Sequence, residues 1–154
     1  MTEVELQWAV EPQAILTEAL CQKWVEAALQ GDLRAQSTAV TIRIVDAEES
    51  RQLNRDYRGK DYATNVLSFE FALPPGLEPE DDEPLYLGDL AICASVVIEE
   101  AMAQEKTLEE HWAHLVIHGT LHLQGYDHID EQEAEKMEAL ETQIMQQLGY
   151  DDPY

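Results

Sequence analysis

Five histidines in one short stretch are the residues of this sequence best suited to chemistry. They fall within 18 residues, at His111, His114, His118, His122 and His128. Residues four apart in an α-helix differ by about 40° around its axis, so His118 and His122 point the same way and both reach one ion. Gly125 suits the end of such a helix, because glycine accepts a left-handed conformation, and the chain can then turn back to bring His128 to the same point. Three imidazoles around one open position are typical of a catalytic zinc site, so the spacing predicts bound Zn²⁺.

The polar residues beside this trio admit more than one role. Asp127, next to His128, can accept the second N–H of a ligand imidazole, and it fits a solvated turn equally well. His114 lies one turn before His118, where it is an alternative ligand or, as we expect, a neighbour in the same hydrogen-bonded row. His111 is predicted to lie at the surface.

The residue after the first histidine of the motif argues against a peptidase. The spacing HxxxHxxGxxH is that of the metzincin proteases, whose general base is a glutamate directly after the first histidine. Gly119 occupies that position here, so peptide hydrolysis would lack its proton acceptor. A phosphodiester fits better, because an anionic substrate can use an arginine and because a metal ion polarises a phosphoryl oxygen and activates water.

The distribution of charge singles out one segment that can receive an anionic partner. The 154 residues include 9 lysines and arginines against 32 aspartates and glutamates, a formal net charge of −23. Such a protein repels nucleic acid and anionic membranes unless its cations are grouped. Five of the nine cations lie between residues 43 and 60, at Arg43, Arg51, Arg55, Arg58 and Lys60. This segment is either an anion-binding surface or an ordinary solvated helix face.

Four strands, followed mainly by helices, are predicted to position these residues. Alternating apolar residues predict strands at 4–10, 40–44, 66–71 and 86–93, with a bulge or close approach at Gly88. Helical periodicity, caps and breakers predict helices from Pro12 to Gly31, over 46–57, from Ser95, from Thr107 to Gly125 and from Asp130 to Gly149. The stretch from Pro74 to Pro84 is predicted to be an exposed acidic loop.

This order of elements predicts an α+β fold. We expect a single domain over 1–154, with one small mixed sheet of about four strands packed against about five helices and the metal site on a helix and turn near the C-terminal third. The N-terminus resembles no secretory signal, and no apolar run approaches the roughly 20 residues of a membrane span. Cys21 and Cys93 have no CxxC spacing. A cytoplasmic protein with reduced cysteines and no membrane contact is therefore expected.

Three blocks of the sequence carry a recognisable pattern. The first is the histidine motif HGTLHLQGYDH at 118–128. The second comprises LNRDYRGKD at 53–61 and TNVLSF at 64–69, and the third is LGDL at 87–90. Together these blocks resemble one known family, the bacterial YbeY endoribonucleases, and they follow that family's order with no departure from its pattern.

The resemblance implies an α+β fold with one zinc ion at the mouth of a cleft. By position, His118, His122 and His128 are the implied ligands, and the family's essential arginine corresponds to Arg58. The implied activity is zinc-dependent endonucleolytic cleavage of single-stranded RNA in 3′ end maturation of small-subunit ribosomal RNA and in ribosome quality control. The implied partners are the ribosome or its ribosomal and assembly proteins.

Several alternatives remain open at this point. Arg58 can clamp a phosphate through two hydrogen bonds, with Lys60 and Arg55 on neighbouring phosphates, or it can pair with Asp56 or Asp61. Three imidazoles also suit nickel, copper or iron. The protein as a whole is alternatively a ribosome-associated binding factor with a structural metal, or a metal-dependent hydrolase of peptides.

Overall fold

A four-stranded mixed sheet with helices packed against it forms the protein. The computed structural model describes residues 2–72, 75–77 and 83–154. Within these residues the strands are β1 (Thr2–Trp8), β2 (Thr38–Val45), β3 (Val66–Glu70) and β4 (Leu85–Cys93). The helices are α1 (Glu18–Ala28), α2 (Ala47–Arg58), α3 (Ala94–Ala103), α4 (Leu108–Leu123) and α5 (Glu131–Gln147), with a short 3-10 helix at Gly31–Ala35. The predicted α+β class, with four strands and five helices, is confirmed.

The sheet has the order β1-β2-β4-β3, in which β3 alone runs antiparallel to its neighbour. The inner strand β2 alternates buried and less buried residues, and Val40, Ile42 and Ile44 are almost wholly buried. Branched apolar side chains at every second residue are what a half-covered strand requires. The antiparallel strand β3 lies at the sheet edge and contributes Ser68 and Phe69 to the wall of the cleft described below.

At Gly88 the backbone of β4 closely approaches that of β3. The register between β2 and β4 shifts at this point, since Ala39 pairs with Tyr86 and Val40 pairs with Gly88. Gly88 has a φ of +144°, and a Cβ there would lie 2.2 Å from the backbone oxygen of Phe69. The predicted bulge with a close backbone approach is confirmed, because no residue with a side chain fits this crossing.

Helix α4 is the central helix and is buried over most of its surface. It packs against β3, β4, α1, α3 and α5, and eleven of its sixteen residues are buried. The Thr107 side chain accepts from the backbone N–H of Glu110 and caps the first turn. A helix enclosed on so many sides is held rigidly by its neighbours, and the first two histidines of the motif lie near its C-terminal end.

Two sequence predictions differ from the structure or lie beyond it. Helix α1 begins at Glu18 and not near Pro12, because the Thr17 side chain accepts from the backbone N–H of Leu20 and caps the helix there. The predicted acidic loop from Pro74 to Pro84 lies mostly outside the described residues. No helix of the described ranges is long and apolar enough to cross a membrane.

Candidate functional site

The end of α4 and the turn after it bring the three histidines of the motif together. His118 and His122 lie one turn apart on α4, and their ring centroids are 4.6 Å apart. The helix ends at Leu123, and Gly125, at a φ of +93°, reverses the chain. This reversal places the His128 ring 5.6 Å from that of His118 and 5.1 Å from that of His122, between centroids. The convergence predicted from the spacing is present.

The nitrogens of these three rings form a donor set that could hold a metal ion. One nitrogen of each ring lies within 4.8 Å of the other two, and Nε2 of His122 is 3.1 Å from Nε2 of His118. Burial, followed by the positive charges that His118 and His128 can take up, lowers the pKa of His122 to about 4. At neutral pH the His122 imidazole is therefore uncharged, and neutral imidazole is the form that binds metals. The donor set fits a divalent transition metal.

A buried carboxylate, Glu141 of α5, lies behind this trio. Its side chain is fully buried, and its Oε1 accepts from Nδ1 of His118 at 2.6 Å. The same oxygen is 3.3 Å from Nε2 of His114, and Oε2 accepts from the hydroxyl of Tyr154 at 2.5 Å. His114 thus lies beside the same carboxylate as His118.

The charge state of Glu141 follows from these contacts. Burial alone would raise its pKa, but His114, His118 and the Tyr154 hydroxyl together outweigh burial and lower the pKa to about 2. Burial, together with the hydrogen bond to Glu141, raises the pKa of Tyr154. Near neutral pH, Glu141 is therefore an ionised carboxylate that accepts a hydrogen bond, and Tyr154 is a neutral phenol that donates it.

Sequence reasoning missed both Glu141 and Tyr154. Glu141 could have been recognised from its spacing, since it falls between Met137 and Ile144 on the apolar face of α5. A carboxylate on an apolar face needs a buried partner. Nothing in the sequence around Tyr154 indicates that its hydroxyl reaches α5.

The three histidines line a cleft of about 820 Å³. The other walls come from the end of α2, the segment into β3, and α5. Arg58 and Lys60 contribute positive charge, and Tyr57, Phe69 and Tyr126 contribute aromatic rings. Glu70, Asp127, Glu138 and Glu141 also belong to the lining, so the cleft is not uniformly basic. A cleft with grouped nitrogen donors, two cations and exposed rings is suited to an anionic, ring-bearing substrate.

The possible ion-pair partners of Arg58 are engaged by other arginines. Nε of Arg51 lies 2.7 Å from Asp61, and Nε of Arg55 lies 3.4 Å from Asp56. Arg58 is exposed at the end of α2 and forms no ion pair among the described residues. Its guanidinium is therefore available to a ligand. Arg55 is not among the described residues that line the cleft, so the structure gives no support to its predicted contact with a neighbouring phosphate.

The position of Gly119 explains why this site has no carboxylate after its first histidine. Gly119 faces the sheet, and a Cβ there would lie 2.8 Å from Cδ2 of Leu90 and 3.2 Å from Cγ2 of Val66. The hydroxyl of Ser68 on β3 donates to the Gly119 carbonyl at 3.1 Å. A glutamate at this position would collide with the sheet, so the general base of the metzincins has no place on this α4.

The structure also shows where His111 and Asp127, the remaining polar residues of the histidine segment, lie. The prediction that His111 lies at the surface is wrong, since it is 2% exposed and its Nε2 is 2.9 Å from Glu100. Its side chain turns toward α3, because α4 is covered on that side as well. Asp127 accepts from the backbone N–H of His128 at 2.7 Å. It therefore stabilises the turn that presents His128.

A family profile and a curated relative agree on one family, and a solved structure shares the fold. The family profile described as "Endoribonuclease YbeY" matches residues 5–149. A protein named "Endoribonuclease YbeY" from Hydrogenovibrio crunogenus is 59% identical over 145 residues, which cover 94% of this chain and 91% of that protein. The solution structure of a Thermotoga maritima protein superposes with a TM-score of 0.54 at 25% identity, and the match covers 95% of this chain and 91% of the other.

Proposed function

Because the chain belongs to the YbeY endoribonuclease family, we propose that it is a zinc-dependent endoribonuclease that cleaves single-stranded RNA. The observation that carries the proposal is one cleft lined by both the three convergent imidazoles and the guanidinium of Arg58, which forms no ion pair within the described part of the chain. Nitrogen donors that could hold a metal ion, together with an arginine at the same cavity, suit phosphoryl chemistry.

In the proposed mechanism His118, His122 and His128 would hold a zinc ion. Such an ion would act as a Lewis acid and would lower the pKa of a bound water toward neutrality. Arg58 binds the scissile phosphate through its fork of N–H donors and stabilises the charge that develops on the phosphoryl oxygens. Lys60, a compact point charge at the same cleft, binds a neighbouring phosphate.

Selectivity for single strands is supported by the exposed aromatic ring on the rim. Tyr57 is 69% exposed, and its ring packs edge-on against Phe69 with centroids 4.9 Å apart. Its free face can stack on an unpaired base, whereas bases in a duplex are already stacked on each other. Tyr57 precedes Arg58 in sequence, so one short segment offers both a stacking surface and a phosphate clamp.

We further propose that the substrate is ribosomal RNA, with 3′ end maturation of the small-subunit RNA as the reaction and ribosome quality control as a related role. The proposed partners are the ribosome or its ribosomal and assembly proteins, and the proposed setting is the cytoplasm. The net charge of −23 supports dependence on partners, because such a protein gains little from RNA charge alone. We take residues 1–154 to act as one functional unit.

The proposal is tested by RNA cleavage with wild type and His122→Ala, purified side by side and loaded with zinc. We expect wild type to cleave a single-stranded RNA and to leave the same strand intact in a duplex. Cleavage should disappear in His122→Ala and after chelation, and it should return to wild type when zinc is restored. Equal cleavage by both proteins would identify a contaminating nuclease and contradict the proposal.

Arg58 is tested by Arg58→Ala, with Arg55→Ala as the matched control. Both arginines are exposed and lie on α2, but Arg55 is paired with Asp56 and is not part of the described cleft lining. Loss of a donor to a transition-state oxyanion typically lowers kcat by about 100-fold or more, so we expect a loss of that order for Arg58→Ala and little change for Arg55→Ala. Equal rates for the two variants would exclude the clamp.

The excess of carboxylates favours one second candidate, a ribosome-associated binding factor whose metal stabilises the fold. The cleft lining includes four carboxylates and two cations, which is a modest basis for binding free RNA. This candidate predicts that zinc-loaded wild type cleaves nothing, and that His122→Ala loses thermal stability together with its association with ribosomal particles.

A further inference from the structure

We propose that Glu141 is a positioning residue for the metal centre. Its carboxylate holds the His118 ring in the tautomer whose free Nε2 faces His122 and His128. This inference rests on the metal-binding part of the proposed function. It concerns a residue of α5, outside the histidine motif, that contacts the ring of a proposed ligand.

The hydrogen bond to His118 determines which ring nitrogen is free. Oε1 of Glu141 lies 2.6 Å from Nδ1 of His118. A carboxylate only accepts, so Nδ1 must carry the proton, and a neutral imidazole has one N–H. Nε2 is then left with its lone pair, and it lies 3.1 Å from Nε2 of His122. Without the carboxylate, the proton could occupy Nε2 and block this approach.

The carboxylate itself is held in place from the other side. Tyr154 donates to Oε2 at 2.5 Å, and Nε2 of His114 lies 3.3 Å from Oε1. The helical neighbours Met137 and Ile144 are almost fully buried, so the carboxyl group has little freedom to leave. A fixed acceptor keeps both the tautomer and the orientation of the ring, and a carboxylate partner also makes the ligand nitrogen more basic.

The burial of Glu141 argues for a role beyond packing. Its side chain is fully buried on a face that is otherwise apolar. Placing a carboxylate there carries a large desolvation cost, and an apolar side chain of similar volume is often neutral or stabilising at such a position. The structure holds a charge where packing alone would favour leucine or methionine, and the group it touches is a ring of the proposed metal site.

The test compares Glu141→Gln with Glu100→Gln. Glutamine keeps the volume of glutamate and removes its charge. Glu100 is the matched control, because it accepts from a buried histidine of the same helix, His111, at 2.9 Å, and that histidine is not a proposed ligand. Loss of an outer-shell partner typically weakens metal binding about 10- to 100-fold, so we expect that loss in zinc affinity, measured by competition with a chromophoric chelator, for Glu141→Gln and almost none for Glu100→Gln.

A second readout does not depend on the variant folding. Long-range ¹H–¹⁵N NMR of the zinc-free wild-type protein reports the tautomer of the His118 ring, and we expect Nδ1–H. Nε2–H in wild type, or a Glu141→Gln protein with unchanged zinc affinity, would overturn the inference. This test can fail or succeed independently of the proposed function. If wild type cleaves no RNA but binds zinc more tightly than Glu141→Gln does, the nuclease is refuted and the positioning role is retained. A wild type that binds no zinc refutes both.

Discussion

At the scale of single residues, the rim of the cleft pairs an aromatic ring with a guanidinium. Tyr57 is exposed and braced by Phe69, and Arg58 beside it has no ion-pair partner among the described residues. Stacking depends on an exposed face and the clamp depends on free N–H donors, so the two act on different parts of one nucleotide. Substitutions at the two positions should therefore have different signatures.

We predict that Tyr57→Ala weakens binding of single-stranded RNA while leaving zinc binding unchanged. Base–aromatic stacking contributes about 1–3 kcal/mol per base, and the expected loss of affinity is of that order. Fluorescence anisotropy with a labelled single strand measures it. Tyr62→Ala is the control, because Tyr62 is also more than half exposed but is not among the described residues of the cleft lining. Equal losses in both variants would contradict a specific stacking surface.

The buried His111 predicts part of the pH dependence of stability. Burial lowers the pKa of His111 below its ordinary value of 6.5, although its hydrogen bond to Glu100 works against burial. In the unfolded chain the His111 ring takes up a proton more readily than in the folded protein. The contribution of the neutral ring to the free energy of unfolding is therefore present above pH 6.5 and is lost as the pH falls below it. Urea unfolding of the zinc-free protein should therefore show stability falling from pH 7.5 to 5.5, with a smaller fall in His111→Gln. An identical fall in both proteins would exclude His111 as a contributor.

How much of the site could be predicted from sequence differs from residue to residue. The convergence of His118, His122 and His128 was predictable, because helical spacing and a turn-forming glycine are local properties. The contact of Glu141 with His118 was not, since it depends on how α5 packs on α4. His111 was misplaced for the same reason, because the neighbours that bury it belong to other elements. The ligand roles themselves remain a prediction.

At the scale of elements, α4 has to be both a core helix and the support of the site. The strands and the later helices were predictable from periodicity, and the four strands and five helices agree with that prediction. The start of α1 was not, because the Thr17 side chain caps the helix at Glu18, whereas the apolar periodicity placed its start at Pro12. The strand β3 was predictable, but its antiparallel place at the sheet edge, beside α4, follows from pairing between distant segments.

We predict that Gly88→Ala destabilises the protein through the pairing of β3 with β4. The added Cβ would meet the backbone oxygen of Phe69 at 2.2 Å, so the strands would have to separate at the site where β3 lines the cleft. Backbone strain alone typically costs about 1–3 kcal/mol, and the loss of stability in urea should be at least that large. Gly149→Ala is the control, because it also has a positive φ but no atom within 4 Å of its Cβ position. Similar losses would show that backbone strain, not the strand crossing, decides the effect.

At the scale of the whole molecule, the described cleft lining contributes two cations within a strongly acidic field. The net charge is −23, whereas Arg58 and Lys60 are the two cations that the described cleft lining contains. Two kinds of salt effect then act on RNA in opposite directions. Salt screens the repulsion between the acidic surface and the RNA, and it also opposes binding at the two cations by counterion competition.

We predict that the affinity for single-stranded RNA changes little with salt at low salt concentration and falls moderately with salt at higher concentration. Below about 0.05 M salt, screening of the acidic surface offsets counterion release, so affinity should change little. Above about 0.1 M, where the Debye length is about 10 Å, two phosphate contacts give a slope of log K against log salt of about −1.4, and Arg58→Ala should reduce it to about −0.7. Anisotropy titrations in KCl measure both slopes. A slope of about −4 or steeper in wild type would mean that several more cations contact the RNA, and the cleft would then be a minor part of the RNA-binding surface.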